Sequence, residues 1–147
     1  MNYIVILDSG SKEIENLVMG TKSMIIHGAN VECIPYGIVA EGDVLYFVNN
    51  DNCDEVKAKG VVSSVYNSYR LSVEESFEMI IRNQDKLCLP DDQFYRWAGK
   101  KYLVLIELRD VEALQPFFIN NSTFLSSCGW SPVGNYDDSF LHDRITA

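Results

Sequence analysis

Short apolar runs broken by turn residues dominate the chain. Tyr3 to Leu7 is apolar and ends at Asp8-Ser9-Gly10, the composition of a strand running into a turn. From Lys12 to Met19 the spacing becomes helical. Ile14, Leu17 and Val18 share one face, Ser9 or Ser11 stands where a cap belongs, and Gly20 stands where the helix should end. Lys22 to His27 then alternates, with Met24 and Ile26 on one side and Ser23, Ile25 and His27 on the other. Gly28 to Gly42 contains Pro35 and Gly37 and predicts a loop with at most a short strand inside it. Asp43 to Val48 and Glu55 to Val65 are strand-like and flank Asn49-Asn50-Asp51-Asn52, which predicts an antiparallel hairpin. Gly60 inside the second strand marks a bulge or a close backbone approach.

Ser72-Val73-Glu74-Glu75 is a capping box, and Val73, Phe77, Ile80 and Ile81 are the expected buried face of the helix it starts. Pro90-Asp91-Asp92 opens another short helix, which carries Phe94 and Trp97 and closes at Gly99. Lys101 to Leu108 is apolar on both faces, as in a central strand. Gln115 to Ile119 reads as a last strand. The tail from about residue 120, with Cys128-Gly129-Trp130-Ser131-Pro132, reads as irregular. About six strands and three short helices in mixed order predict one α+β domain over residues 1–147. Strands this short, so regularly broken by turns, suit a small, partly open mixed β-barrel with helices at its ends.

Composition narrows the partner. With 147 residues, 47% hydrophobic and 22% charged, the chain can bury a real core. The formal net charge of −9 argues against a protein that coats nucleic acid non-specifically, because that binding depends on Lys and Arg neutralising phosphates. A pocket for one nucleotide or base needs only a few placed groups and is compatible with this charge. The cysteines, Cys33, Cys53, Cys88 and Cys128, form no CxxC pair, and the histidines are His27 and His142 alone. A structural zinc site is not expected, nor is any other metal or cofactor. The N-terminus lacks the basic flank of a signal peptide and no run reaches membrane-span length, so a soluble cytoplasmic protein is expected. The sequons at Asn120 and Asn121 carry little weight without an export signal.

Several short motifs in this order resemble one family. The chain runs from a helix through the Gly20-x-Lys22 turn into a strand. Glu41-Gly42-Asp43 then leads into Leu45-Tyr46-Phe47, Lys59-Gly60-Val61-Val62 follows, and Trp97-Ala98-Gly99-Lys100-Lys101-Tyr102 leads into Leu103-Val104-Leu105-Ile106. This resembles the ASCH branch of the PUA-like domains, whose relatives include PUA, EVE and YTH modules, over roughly residues 3 to 119. The resemblance implies a barrel whose cleft meets RNA or a modified base, with the Gly-x-Lys turn at the cleft. Of the ASCH motif Gly-x-Lys-x-x-Glu-x-Arg, Gly20 and Lys22 match, while Ile25 and His27 occupy the glutamate and arginine positions. Some ASCH-like proteins are amidohydrolases on acetylated cytidine that use a lysine, a threonine and a glutamate. The lysine maps to Lys22, the threonine position holds Ile25, and Ser23 is the hydroxyl on the same strand face.

The candidate ligand-binding residues are Lys22, His27, Tyr66, Asn67, Arg70 and Trp130. Lys22 offers a donor to phosphate or a base carbonyl, or is a solvated lysine at a strand start. His27 offers a base-edge contact, or is a hydrogen-bonded structural group. Tyr66-Asn67-Ser68-Tyr69-Arg70 combines aromatics, an amide and a guanidinium, the groups that stack on and clamp a base. Trp130 either covers an open barrel end or lines a pocket, whereas Trp97, at helical spacing with Phe94, reads as core. The leading expectation is recognition of RNA or a modified nucleoside without chemistry. Two alternatives stay open: hydrolysis of an acylated nucleoside with Lys22 and Ser23 at the centre, and a protein-interaction module.

Overall fold

A computed structural model describes residues 1–119 and 129–133. The elements in order are β1 (Asn2–Leu7), α1 (Glu13–Met19), β2 (Met24–Ala29), β3 (Val44–Asn49), β4 (Asn52–Asn67), α2 (Val73–Arg82), α3 (Gln84–Leu87), α4 (Asp91–Trp97), β5 (Tyr102–Phe118) and β6 (Trp130–Pro132). The strands form one mixed six-stranded sheet in the order β2-β5-β4-β3-β1-β6, curled into a half-barrel. Neighbours are antiparallel except β1 and β3, which run parallel. The architecture is the small, partly open α+β barrel that the alternation of short strands and turns predicts.

Strand alternation divides the core. Val5, Leu7, Ile25, Leu45, Phe47, Val62, Val104 and Ile106 point to one face and pack with Ile14 and Leu17 of α1 and with Trp130. Met24, Ile26, Leu103 and Leu105 point to the other face, where Ile80, Leu87 and Leu89 cover them. A third cluster, around Tyr46, Val48, Val56 and Phe117, fills the hairpin end. β5 carries apolar side chains on both faces because it lies between β2 and β4 with both faces covered.

Five local expectations change. The segments Lys101–Leu108 and Gln115–Ile119 belong to one 17-residue strand, β5, which keeps its pairing with β4 through register shifts. Asp110 sits at φ 52 within it, a left-handed kink that a short polar side chain tolerates. The tail is not wholly irregular, because Trp130–Pro132 pairs antiparallel with β1 and supplies the sixth strand. On α2, Val73 (57% exposed) and Ile81 (60%) face outward, while Ser76 and Ile80 are buried. Ser76 takes the inner seat because its Oγ accepts the Gly99 N–H at 3.0 Å. α1 starts without a serine cap. Its first turn closes through Glu13, whose carboxylate accepts the Asp8 N–H at 2.8 Å. A fourth helix, the single turn α3, buries Leu87.

The capping box holds: Ser72 Oγ accepts the Glu75 N–H and the Glu75 carboxylate accepts the Ser72 N–H. Gly60 is a close approach, since a Cβ there would lie 3.1 Å from Val111 Cγ2 and 3.4 Å from Phe47 Cε2. Gly60→Val is expected to cost about 1–3 kcal/mol by overpacking, read as a lower denaturant midpoint with an unchanged m-value. Among the described residues no helix is long and apolar enough to cross a membrane, and no group of three His, Cys, Asp or Glu could hold a metal ion. Cys128, His142 and the sequons at Asn120 and Asn121 lie outside the described residues.

Candidate functional site

A cleft of about 250 Å³ opens where the end of β1, β2, α4 and β6 meet. Alternation turns Val5 and Leu7 of β1 and Ile25 and His27 of β2 toward it. α4 lies across the opening and presents Gln93, Arg96 and Trp97, which share a helix face at spacings of three and four. β6 adds Trp130, and Asp8, Glu13 and Asn50 form the polar side. Ligand pockets for drug-sized molecules run to roughly 300–1,000 Å³, so this volume suits one small planar group.

Each polar group is held in a defined state. Asp8 accepts hydrogen bonds from the Ser11 N–H at 2.8 Å, from the Ser11 hydroxyl and from Asn50 Nδ2 at 3.1 Å. The Ser11 hydroxyl is the main reason its carboxyl titrates below the usual carboxylate range. Asn50 is fixed in turn, its Oδ1 accepting from the Ser9 N–H at 3.0 Å and the Ser9 hydroxyl at 2.9 Å. His27 is buried, which together with the nearby Arg96 guanidinium pushes its pKa down to about 4. The imidazole is therefore neutral near pH 7 and offers one donor and one acceptor. Its ring lies 5.6 Å from Trp97, and Nε2 is 3.6 Å from Cys33 Sγ. Arg96 places its guanidinium 4.5 Å from the centre of the Trp97 ring. Gln93 differs from all of these. It is only 6% exposed, it lines the cleft, and it is the one neutral side-chain amide that α4 presents there.

Lys22 lies behind the cleft wall rather than in it. It is 2% exposed, its ammonium donates to the Leu87 backbone carbonyl, and it pairs with Glu13 Oε1 at 3.4 Å. Burial lowers its pKa, and Glu13 partly offsets that. Glu13 is the connection outward, since it lines the cleft and also bonds the Asp8 N–H. Ser23 is tied by its backbone, donating to Lys86 O at 3.1 Å and accepting from the Leu108 N–H at 3.0 Å.

The structure brings His27 and Trp130 together and leaves Tyr66, Asn67 and Arg70 elsewhere. Tyr66 pairs with Leu105, which faces α2 and α3, whereas His27 pairs with Val104 on the opposite face of the sheet. Tyr66 lines a separate shallow groove with Met79 and Arg82. Asn67 Oδ1 accepts the Gly37 N–H at 2.9 Å and so braces a loop. Arg70 is exposed and lines neither hollow. Trp97 is half-buried, packed on the α2–α4 core and lining the cleft as well. Sequence reasoning did not single out Asp8, Glu13, Gln93 or Arg96. The available sign was polar Gln93 and Arg96 on the helix face that carries Trp97.

No protein-family model and no curated protein matches this sequence. Solved structures do match by shape. ASCH from Zymomonas mobilis aligns with a TM-score of 0.70 at 11% identity, over 97% of this chain and 94% of that one. The fold is that of an ASCH-type PUA-like domain. Two further structures of this PUA-like shape are N-terminal domains of McrB. The one from Staphylothermus marinus gives a TM-score of 0.59 at 13% identity, over 97% of this chain and 93% of that one. The one from Thermococcus gammatolerans, bound to m5C DNA, gives 0.52 at 14% identity, over 97% and 95%. Within this ASCH-type fold the Gly-x-Lys turn is plain to see: Gly20 ends α1 at φ 82, and Lys22 follows with its N–H bonded to Asn16 O at 3.1 Å.

Proposed function

We propose that the chain binds a single, modified nucleobase in the cleft between α4, β2 and β6, as part of RNA or as a nucleoside. The observation that carries this reading is Gln93. Its side chain is almost fully packed yet lines the cleft, so its amide is held in place at the wall where a ligand would sit. An amide carries a donor and an acceptor side by side, the arrangement that reads a base edge. Trp97, Trp130 and the neutral His27 give the aromatic walls that hold a base. The McrB domain bound to m5C DNA supports the reading by analogy of fold.

A titration tests it directly. The chain contains two tryptophans and both line the cleft, so intrinsic fluorescence reports occupancy. Nucleosides with unmodified, methylated and acetylated bases are expected to quench it saturably and to different depths. Gln93→Ala is expected to weaken the best of them by roughly 5- to 150-fold, the range for one two-point base contact. Equal affinity for Gln93→Ala and the parent protein would refute the reading.

A second reading is hydrolysis of an acylated nucleoside. The buried Lys22 amine with its lowered pKa, paired with a carboxylate that lines the cleft, favours it. Against it, no side-chain hydroxyl hydrogen-bonds that amine among the described residues. Incubation with N-acylated nucleosides separates the two readings: released acid supports hydrolysis, and intact ligand supports binding alone.

A further inference from the structure

A second hollow adjoins the base cleft and shares its wall. Gly28, Cys33 and Lys100 line it, while His27, Arg96 and Trp97 border both spaces. We infer that this second hollow takes a phosphate group, so that the preferred ligand is a nucleotide rather than a bare nucleoside; this rests on the base reading above.

Charge is the first argument. The chain has 21 acidic residues against 12 basic ones, and most described cations are already paired. Lys22, Lys57, Lys59, Arg82, Lys86 and Arg109 each sit within 4.0 Å of a carboxylate. Arg96 and Lys100 have no such partner among the described residues, yet both face the same hollow. His27 is neutral there, so Arg96 and Lys100 are the charged side chains lining this hollow, with the Asp8 carboxylate acting on Arg96 from the adjoining cleft.

Placement is the second argument. Arg96 carries its guanidinium over Trp97, 4.5 Å from the ring centre, which keeps a donor fork suited to two bonds to an oxyanion at this wall. The Lys100 stem is held close against β2, because a Cβ at Gly28 would lie 3.1 Å from Lys100 Cγ and 3.2 Å from Trp97 Cε3. Gly28 thus leaves room for both side chains at the wall between the two hollows. A base behind Trp97 and a phosphate in front of it would lie on the two sides of that wall, joined through a sugar.

The test is a fluorescence titration at low salt with nucleosides, their 5′- and 3′-monophosphates, and a trinucleotide carrying the same base in the middle. The parent protein is expected to bind a monophosphate about tenfold or more tightly than the matching nucleoside. In Arg96→Gln/Lys100→Gln that ratio is expected to collapse toward one. A single-strand source is indicated if the trinucleotide binds at least as tightly as the monophosphates, and a free nucleotide if it binds more weakly. Equal binding of nucleoside and monophosphate to the parent protein would overturn the phosphate site and leave the base reading standing. An undiminished ratio in the double variant would overturn it too. Absence of any quenching by nucleosides and nucleotides alike would overturn the base reading, and this inference with it.

Discussion

Glu13→Ala should be among the most damaging substitutions in the chain, costing about 3–5 kcal/mol and lowering the melting temperature by on the order of 10 °C. The cost comes from what is left behind. Lys22 is 2% exposed, and its charge is compensated by the Glu13 carboxylate at 3.4 Å and the Leu87 carbonyl. Remove the carboxylate and a buried ammonium faces one neutral acceptor. The Asp8 N–H loses its acceptor in the same step. The pH dependence identifies the mechanism. Burial lowers the folded-state pKa of Lys22 below its unfolded value of 10.5. Between those two values the unfolded chain holds more protons, so stability rises with pH. Glu13 raises the folded pKa and narrows that window, and its loss widens the window downward. The deficit of Glu13→Ala should therefore shrink as the pH is raised toward 10. The double variant Glu13→Leu/Lys22→Met should recover most of the loss, because an apolar pair replaces a buried ion pair at little net cost. Urea melts of the three proteins at pH 7 and pH 9.5 check this. A Glu13→Ala loss under 1 kcal/mol at pH 7 would mean that Lys22 is hydrated.

The difference between what was legible and what was not follows the range of each interaction. Alternation placed Met24 and Ile26 against Ile25 and His27 correctly, because the period of a strand is local. The capping box at Ser72 and the close approach at Gly60 were likewise visible in a few residues. Trp130 failed as a strand residue because β6 is only three residues long and exists through pairing with β1, more than a hundred residues away. The cleft was half legible. His27 and Trp130 were nameable as chemistry, but the docking of α4 over β2 brings in Gln93, Arg96 and Trp97, and no local rule states where a seven-residue helix will dock. Tyr66 shows the converse. Its neighbours in sequence make a plausible base clamp, yet the register with Leu105 puts it on the other face.

His27 should give the chain a stability loss on mild acidification that a single substitution isolates. Its pKa is about 4 in the folded protein, against 6.5 when unperturbed. Burial sets that value, with the Arg96 guanidinium adding to it; Cys33 and Trp97 are its close neighbours, and Asp8 and Glu13 line the same cleft. The neutral form is favoured on folding, so the contribution is fully present above pH 6.5. It is lost as the pH falls through the window down to about 4, where the unfolded chain binds the extra proton. A difference of this size amounts to about 3 kcal/mol, of which about 2.5 should be gone by pH 4.5. Asp8 and Glu75 also titrate low, but their losses occur in parent and variant alike and cancel in the comparison. Urea melts of the parent protein and His27→Gln at pH 7 and pH 4.5 isolate the term, and the stability gap between the two proteins should move by about 2.5 kcal/mol in favour of the variant at the lower pH. A gap that stays constant would mean that the imidazole reaches water in the folded state. Protonation of the folded imidazole turns the one acceptor of the ring into a donor, so nucleoside affinity should hold across most of that window, fall only as the pH approaches about 4 in the parent protein, and stay level in His27→Gln.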